Sequence, residues 1–128
     1  MKLKEKAMRE IKFRAWNVLD KKMLDWGDIF HLPAWEIFPG TPEQRPFNIM
    51  QYTGMKDKSG REIYEGDIVK FISRLDDSKR MGTVRYWAGD AAFLIECERE
   101  IFFLFHDALN REVIGNIYEN LEILKDRR

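Results

Sequence analysis

Alternation of apolar and polar residues is the main pattern along the chain, and it predicts β-strands. From Arg9 to Trp16 the apolar residues Ile11, Phe13 and Ala15 alternate with more polar neighbours, which is the period of a half-buried strand. Further strands are predicted at 49–53, 61–65, 67–71, 82–87, 92–97 and 113–118. Short strands separated by turn residues at regular intervals favour a barrel or a sandwich.

Glycines between the predicted strands supply the turns. The segment Asp57–Gly60 is polar, and Gly60 can take the positive φ that closes a tight turn. Gly66 and the residue after it lead into the β-branched strand that begins at Ile68. The residues predicted to have a structural role in turns are Gly54, Gly60, Gly66 and Asp67.

Two regions depart from this alternation. Four prolines and Gly40 lie between Pro33 and Pro46, which predicts a long irregular excursion in place of regular structure. With Trp35 and Phe38 inside it, the excursion is either a binding loop or a packed lid, and the packed lid is the favoured interpretation. Residues 121–124 predict a single helical turn near the end of the chain.

The run from Ile101 to Phe105 is apolar at all five positions. If it is a strand, one of its faces must be covered, either by the Pro-rich excursion or by another subunit. The run therefore favours a protein interface and a homo-oligomer. The residues predicted to form such an interface are Trp35, Phe38, Phe102, Phe103 and Phe105.

Charge decides how much weight nucleic-acid binding receives. The 128 residues include 22 basic and 22 acidic side chains, so the chain lacks the strongly basic balance of a dedicated nucleic-acid binder. Local faces of the predicted strands are the remaining candidates, because small barrels use aromatic and basic side chains for stacking and phosphate contact. The two candidate faces are Lys12, Arg14 and Trp16 on one strand, and Arg85 and Trp87 on another.

No pattern of catalytic or metal-binding residues stands out. Cys97 is the only cysteine, which excludes an intramolecular disulfide and a cysteine zinc site. The two histidines, His31 and His106, are not in ligand spacing, and no hydrolase elbow, phosphate loop or dinucleotide glycine signature is present. We therefore predict no cofactor, no metal and no enzymatic activity.

The chain also lacks the patterns of membrane and exported proteins. No apolar run approaches the roughly 18 residues of a membrane span, and the charged N-terminus lacks the apolar segment of a signal peptide. These observations predict a protein of the cytoplasm with no membrane association.

Three segments together resemble the YopX family of phage and prophage proteins. They are residues 51–71, which read QYTGMKDKSGREIYEGDIVKF, the opening MREIKFRAW from Met8, and VIGNIYEN from Val113. The resemblance implies a mostly β fold, specifically an SH3-like β-barrel, in a family of unknown molecular function. It also implies a flexible extension at residues 1–7 before a single domain at residues 8–128.

Pattern and resemblance together lead to a functional prediction with one alternative. The chain is predicted to be a phage or prophage accessory protein that acts as a non-enzymatic protein-binding or self-associating module, with an unknown protein partner. The alternative is a small-barrel protein that binds nucleic acid.

Overall fold

The computed structural model describes residues 9–38 and 46–125 and confirms the mostly β class. The described residues form nine strands and three short helices. The strands are β1 (Phe13–Asn17), β2 (Lys22–Leu24), β3 (Phe47–Lys56), β4 (Glu62–Tyr64), β5 (Asp67–Ser73), β6 (Lys79–Trp87), β7 (Ala92–Glu96), β8 (Ile101–Phe103) and β9 (Ala108–Asn116). The helices are α1 (Trp26–Ile29), α2 (Ala34–Ile37) and α3 (Glu122–Lys125).

Two of the sequence predictions fall partly or wholly outside these residues. The extension at residues 1–7 lies outside them, as do residues 39–45 of the Pro-rich excursion.

The strands divide between two antiparallel sheets, in the orders β2-β1-β3-β4 and β8-β7-β6-β5-β9. The chain separates into two compact units, Met1–Gly54 and Met55–Arg128. The SH3-like barrel and the single domain at residues 8–128 both stay predictions.

The first unit packs short helices beside the strands at the start of the chain. Strand β1 pairs with β2 and β3 on its two sides, so that Ala15 lies opposite both Leu24 and Ile49. Ala15 is buried with Ile29 and Ile37, which come from α1 and α2. The core of this unit is therefore made by the middle of one strand and the ends of two helical turns.

A reciprocal hydrogen-bonded cap determines where α1 begins. The Asp25 carboxylate accepts from the Asp28 backbone N–H at 2.9 Å, and the Asp28 carboxylate accepts from the Asp25 N–H at 3.0 Å. The apolar residues Met23, Leu24 and Trp26 in the sequence predict a strand that returns from β1 and ends before Gly27, and the cap corrects this expectation at Trp26. The strand ends at Leu24, and Trp26 is the first residue of the helix.

The second unit is organised around the central strand β5. Its neighbours are β6 and β9, both antiparallel, and its residues Val69 and Phe71 point into the core. The core side chains come from every strand of this unit's sheet and from β4, and they include Ile63, Val84, Ile95, Phe102 and Val113. Burial of these branched and aromatic side chains is the main stabilising contribution in the unit.

The apolar run at residues 101–105 alternates between inside and outside. Phe102 is 2% exposed and packs edge-on against Phe71 with ring centroids 5.1 Å apart, and Leu104 is also buried. Ile101, Phe103 and Phe105 are exposed. We call these three exposed residues the apolar row. Phe102 is therefore a core residue and contributes no surface to the predicted interface.

Candidate functional site

A buried carboxylate, Asp57, holds together the most characteristic sequence segment. One Asp57 oxygen accepts from the backbone N–H groups of Ser59 and Arg61, each at 2.9 Å. The other accepts from the N–H of Val113 at 2.9 Å, which joins the turn to the outer edge of β9. Burial raises the pKa of Asp57, but the three backbone donors and the charge of Arg61 outweigh it, and the pKa lies below its ordinary value.

The turn between β4 and β5 also depends on backbone geometry. Gly66 has φ of +85°, a conformation that side chains with a Cβ resist. Its N–H donates to the Val84 carbonyl and its carbonyl accepts from the Ile117 N–H, both at 2.9 Å. The Asp67 carboxylate is buried and accepts from the Tyr64 N–H at 2.8 Å. These residues have structural roles in the backbone.

The remaining predicted turn glycines differ in position. Gly60 lies in the turn after β3 with φ of +87°, whereas Gly54 lies within β3 itself with φ of +86°. Asp57, Gly60, Gly66 and Asp67 therefore stabilise turns and strand ends. The candidate functional sites are the surfaces and cavities formed by other side chains.

The first unit contains a small apolar pocket of about 190 Å³ between its helices and β1. We call it the aromatic pocket. Its rings contact one another in edge-on and tilted geometries, with Phe13 centred 5.2 Å from Phe38 and 6.1 Å from Trp26. The lining side chains include Phe13, Trp26, Ile29, Phe30, Ile37 and Phe38.

Aromatic side chains around this pocket remain open to solvent. Phe30 is 61% exposed and Phe38 is also exposed, although both line the pocket. Trp35, on α2, is 65% exposed. Clustered exposed aromatics on a folded protein mark a surface for binding. Of the predicted interface residues, Phe38 lines the pocket, and Trp35 is an exposed residue of α2, whose residues Ala34 and Ile37 also line it.

Sequence reasoning missed the other members of the aromatic pocket. Trp26, Ile29 and Phe30 follow the i, i+3, i+4 spacing of one helix face, and Asp25 with Asp28 has the spacing of a helix cap. Those two signals together identify α1, although a four-residue helix is too short for periodicity alone to reveal it.

The apolar row is a separate feature of the second unit. Phe105, with 75% of its surface exposed, is the most open of its members, and β8 is an edge strand. The N–H of Phe103 donates to the Asp107 carboxylate at 3.0 Å, so a side chain caps this part of the edge. The exposed side chains of the apolar row remain available to a partner.

The first predicted nucleic-acid face is engaged in contacts within the first unit. The Lys12 ammonium lies 3.3 Å from the Glu10 carboxylate and 5.1 Å from the centre of the Tyr52 ring. The Arg14 guanidinium donates from Nε to the Met50 sulfur at 3.4 Å. Trp16 is half-buried.

The second predicted nucleic-acid face is more open. Trp87 is 52% exposed, and Arg85 is exposed two residues before it on β6. Arg85 forms an ion pair with Glu96 at 3.4 Å, across the β6–β7 pairing. A nucleic-acid phosphate would have to compete with that carboxylate for Arg85.

Metal-binding side chains form no cluster among the residues that the structure describes. Within residues 9–38 and 46–125, no three His, Cys, Asp or Glu side chains are grouped closely enough to hold a metal ion. His31 contacts the Phe30 ring, and His106 lies 3.0 Å from the Asp107 carboxylate, which lowers the pKa of Asp107. None of the helices in the described ranges is long and apolar enough to cross a membrane.

Comparison with known proteins identifies the family. The family model described as "YopX protein" matches residues 12–125. The chain belongs to the YopX family. A search of curated proteins gave no match.

Two solved structures resemble this YopX-family chain. One is protein EF1440 from Enterococcus faecalis, with 28% identity, a TM-score of 0.56, and coverage of 91% of this chain and 99% of that one. The other is protein yopX from Bacillus subtilis, with 21% identity, a TM-score of 0.58 and the same two coverages. At that lower identity, the likeness to yopX concerns the fold alone.

Proposed function

We propose that this YopX-family chain is a phage- or prophage-borne accessory protein of the bacterial cytoplasm that binds another protein through the aromatic pocket and catalyses no reaction. The observation that carries the proposal is an apolar pocket whose aromatic walls stay open to solvent in Phe30 and Phe38. A surface of this kind gains free energy when a partner's apolar side chain displaces water from it.

The size of the aromatic pocket limits what enters it. A volume of about 190 Å³ accommodates a single large side chain, not a whole cofactor. The expected ligand is therefore one apolar anchor residue of a partner protein, surrounded by weaker contacts. Trp35 on the neighbouring helix supplies the kind of large exposed ring that commonly dominates such contacts.

The charges in residues 25–38 indicate which residues of the partner would flank its apolar anchor residue. Residues 25–38 contain Asp25, Asp28 and Glu36 but no lysine or arginine. A partner segment with basic residues on either side of its apolar anchor would complement this acidic surface.

The test is recovery of bound material from a phage-carrying bacterial host, with and without nuclease, using three forms of the chain. Wild type and Leu75→Ala are expected to retain the same nuclease-resistant protein, whereas Phe38→Ala is expected to lose it. Leu75→Ala is the matched control because it removes an exposed apolar side chain of the second unit that lies outside the aromatic pocket and the apolar row. Equal recovery by all three forms would refute binding through the aromatic pocket.

Nucleic-acid binding is the second candidate, and the exposed Trp87 beside Arg85 favours it. Base stacking on Trp87 and phosphate contact by Arg85 would give binding that weakens steeply with salt. Complete loss of bound material on nuclease treatment, together with weaker binding by Arg85→Ala and Trp87→Ala, would favour this candidate over the first.

A further inference from the structure

The second unit contains a larger cavity with a different character. Its volume is about 730 Å³, within the range of small-molecule sites. Its lining combines basic, acidic and apolar side chains, and those that matter here are Lys70, Lys79, Arg99, Glu98, Met81 and Ile114. A smaller cavity of about 240 Å³ shares Lys70 and Lys79.

The register of β5 and β6 puts two lysines on one face of the sheet. Lys70 lies opposite Met81, and Lys79 lies opposite Ile72, which is two residues along β5 from Lys70. Paired residues point to the same side of a sheet, so both lysines project from one face as diagonal neighbours, with backbones about 7 to 8 Å apart. That separation lets two flexible ammonium groups reach a single anion.

Two other basic residues at these cavities, Arg80 and Lys58, already have acidic partners. Arg80 donates to the carboxylates of Glu100 and Asp76, the latter at 3.2 Å, and Lys58 lies 3.7 Å from Glu112. The hydroxyl and backbone N–H of Ser78, followed by Arg80, hold the pKa of Asp76 at about 2, so that carboxylate stays charged beside Arg80. Arg80 and Lys58 are thereby neutralised locally.

Lys70 and Lys79 remain without such compensation. In the part of the chain that the structure describes, neither has an ion-pair partner, and the same holds for Arg99. Glu98 is the one lining carboxylate that is likewise unpaired there. Positive charge therefore exceeds negative charge at this cavity, although the whole chain has a net charge of zero.

We propose that this cavity binds a phosphate-bearing ligand of nucleotide size, with the phosphate held by Lys70 and Lys79. Phosphate fits two separated ammonium groups because it carries close to two negative charges and three acceptor oxygens. The apolar surfaces of Met81 and Ile114 provide contact for a planar or apolar body. Glu98 provides an acceptor for hydroxyl or amino groups on that body.

The first experiment measures binding by isothermal titration calorimetry at low salt, with ATP, inorganic pyrophosphate and adenosine as probes. ATP and pyrophosphate are expected to bind, and adenosine is expected not to bind at the same concentrations. The variant Lys70→Gln/Lys79→Gln is expected to weaken ATP binding at least about tenfold, which is the effect of losing a hydrogen bond to a charged group.

The matched control is Lys22→Gln/Lys56→Gln, which removes two exposed strand lysines away from the cavity lining. It is expected to change ATP affinity less than twofold. If wild type binds none of the phosphate-bearing probes, or if the control variant weakens binding as much as Lys70→Gln/Lys79→Gln does, the proposal is overturned. Urea denaturation of both variants checks that lost binding does not come from lost folding.

A second arm identifies the source of the phosphate. A 12-nucleotide thymidine strand is titrated beside ATP under the same conditions. Binding of ATP assigns the cavity to a free nucleotide, and binding of the strand without ATP assigns it to a nucleic-acid backbone. In either case, Lys70→Gln/Lys79→Gln must weaken binding of the ligand that wild type binds. Unchanged binding of that ligand by the double variant would show that it binds outside this cavity.

Alkylation of the single cysteine, Cys97, tests where ATP binds by a measurement independent of calorimetry. Cys97 is a half-buried cysteine that lines the same cavity. Saturating ATP is expected to slow alkylation of Cys97 by iodoacetamide at least about threefold in wild type, because the bound ligand blocks access to the thiol. No change in the alkylation rate under conditions where ATP binds would show that the ligand does not occupy this cavity.

Discussion

Asp57 shows how a single side chain can connect distant parts of the chain. Its carboxylate serves two donors within its own turn and one donor, Val113, on a strand 56 positions away. A neutral amide at this position keeps one acceptor oxygen but turns an NH₂ group toward at least one of the three N–H donors. The carboxylate is therefore specific to this arrangement.

We expect Asp57→Asn to lower the free energy of unfolding by about 2 kcal/mol, because a buried backbone donor loses its acceptor. Urea denaturation followed by circular dichroism measures the change. Asp90→Asn, an exposed turn aspartate, is the control and is expected to change stability by less than about 0.5 kcal/mol. A loss for Asp57→Asn no larger than that of the control would contradict the structural role.

The same carboxylate makes stability depend on pH. The folded-state pKa of Asp57 lies below its ordinary value of 3.8, so its contribution is present above that value and is lost as pH falls through the folded pKa. The stability difference between wild type and Asp57→Asn is therefore expected to shrink as pH falls from about 5 toward about 2. Asp76 and Asp107 also have lowered pKa values, but they are present in both proteins, so the stability difference between wild type and Asp57→Asn isolates Asp57. A stability difference that stays constant with pH would refute the assignment.

Gly66 provides the clearest test of backbone conformation. Its φ of +85° is accessible to glycine, tolerated by asparagine and resisted by β-branched residues. We expect Gly66→Val to destabilise the fold by more than about 1 kcal/mol and Gly66→Asn to cost less. Thermal denaturation compares the two variants, and an unchanged melting temperature for Gly66→Val would contradict the prediction.

At the scale of elements, alternation predicted where strands occur better than where they end. The strand expected at 82–87 begins at Lys79, because the polar Lys79 and Arg80 pair with β5 while their side chains reach the surface or a salt bridge. The strand expected at 113–118 begins at Ala108 and includes Asn110, Arg111 and Glu112. Polar residues on a strand at the sheet edge hide it from a search for apolar alternation.

The aromatic pocket was only partly predictable for a related reason. Trp35 and Phe38 stood out as aromatics in a Pro-rich segment, but the rings that line the pocket with Phe38 include Phe13 from β1 and Trp26 from α1. Tertiary packing brings these separated segments together, and no local pattern records that contact. The cavity in the second unit is likewise a product of strand register, since Lys70 and Lys79 become neighbours only when β5 pairs with β6.

Close packing of β6 against β7 depends on Gly82. A Cβ at this position would lie 2.6 Å from the Glu96 carbonyl oxygen, which is backbone, and 2.8 Å from an Ile95 methyl group. We expect Gly82→Ala to lower the free energy of unfolding by about 1 to 3 kcal/mol, because the strands must move apart. Gly27→Ala, in α1, is the control, because a Cβ there would meet no backbone and only the Asp25 side-chain oxygen, at 3.3 Å. Equal urea midpoints for both variants would show that β6 and β7 adjust without cost.

At the scale of the whole molecule, equal numbers of acidic and basic residues reduce the repulsion that keeps copies apart. The net charge is zero at pH 7 and the sequence pI is about 6.7, so short-range attraction between apolar surfaces meets little electrostatic resistance. The apolar row is the exposed surface of the second unit on which that attraction would act. Self-association stays a prediction of the sequence, and this surface makes it testable.

Phe105→Ser is expected to lower the weight-average mass measured by sedimentation equilibrium, because it removes the most exposed ring of the apolar row. Leu19→Ser replaces an equally open apolar residue in a turn of the first unit and serves as the control. A wild-type mass equal to the monomer at all concentrations, or an identical decrease in both variants, would refute self-association through the apolar row.

The position of β5 between β6 and β9 has a consequence for synthesis of the chain. Strand β6 follows β5 closely, but β9 arrives only after roughly 30 more residues have left the ribosome, which at about 5 to 20 residues per second takes about 2 to 6 seconds. During that interval one edge of β5, the most buried strand, is unpaired, and the hydrogen bond from the Val113 N–H to the Asp57 carboxylate has not yet formed. The nascent chain is therefore a target for chaperones until its last strand emerges.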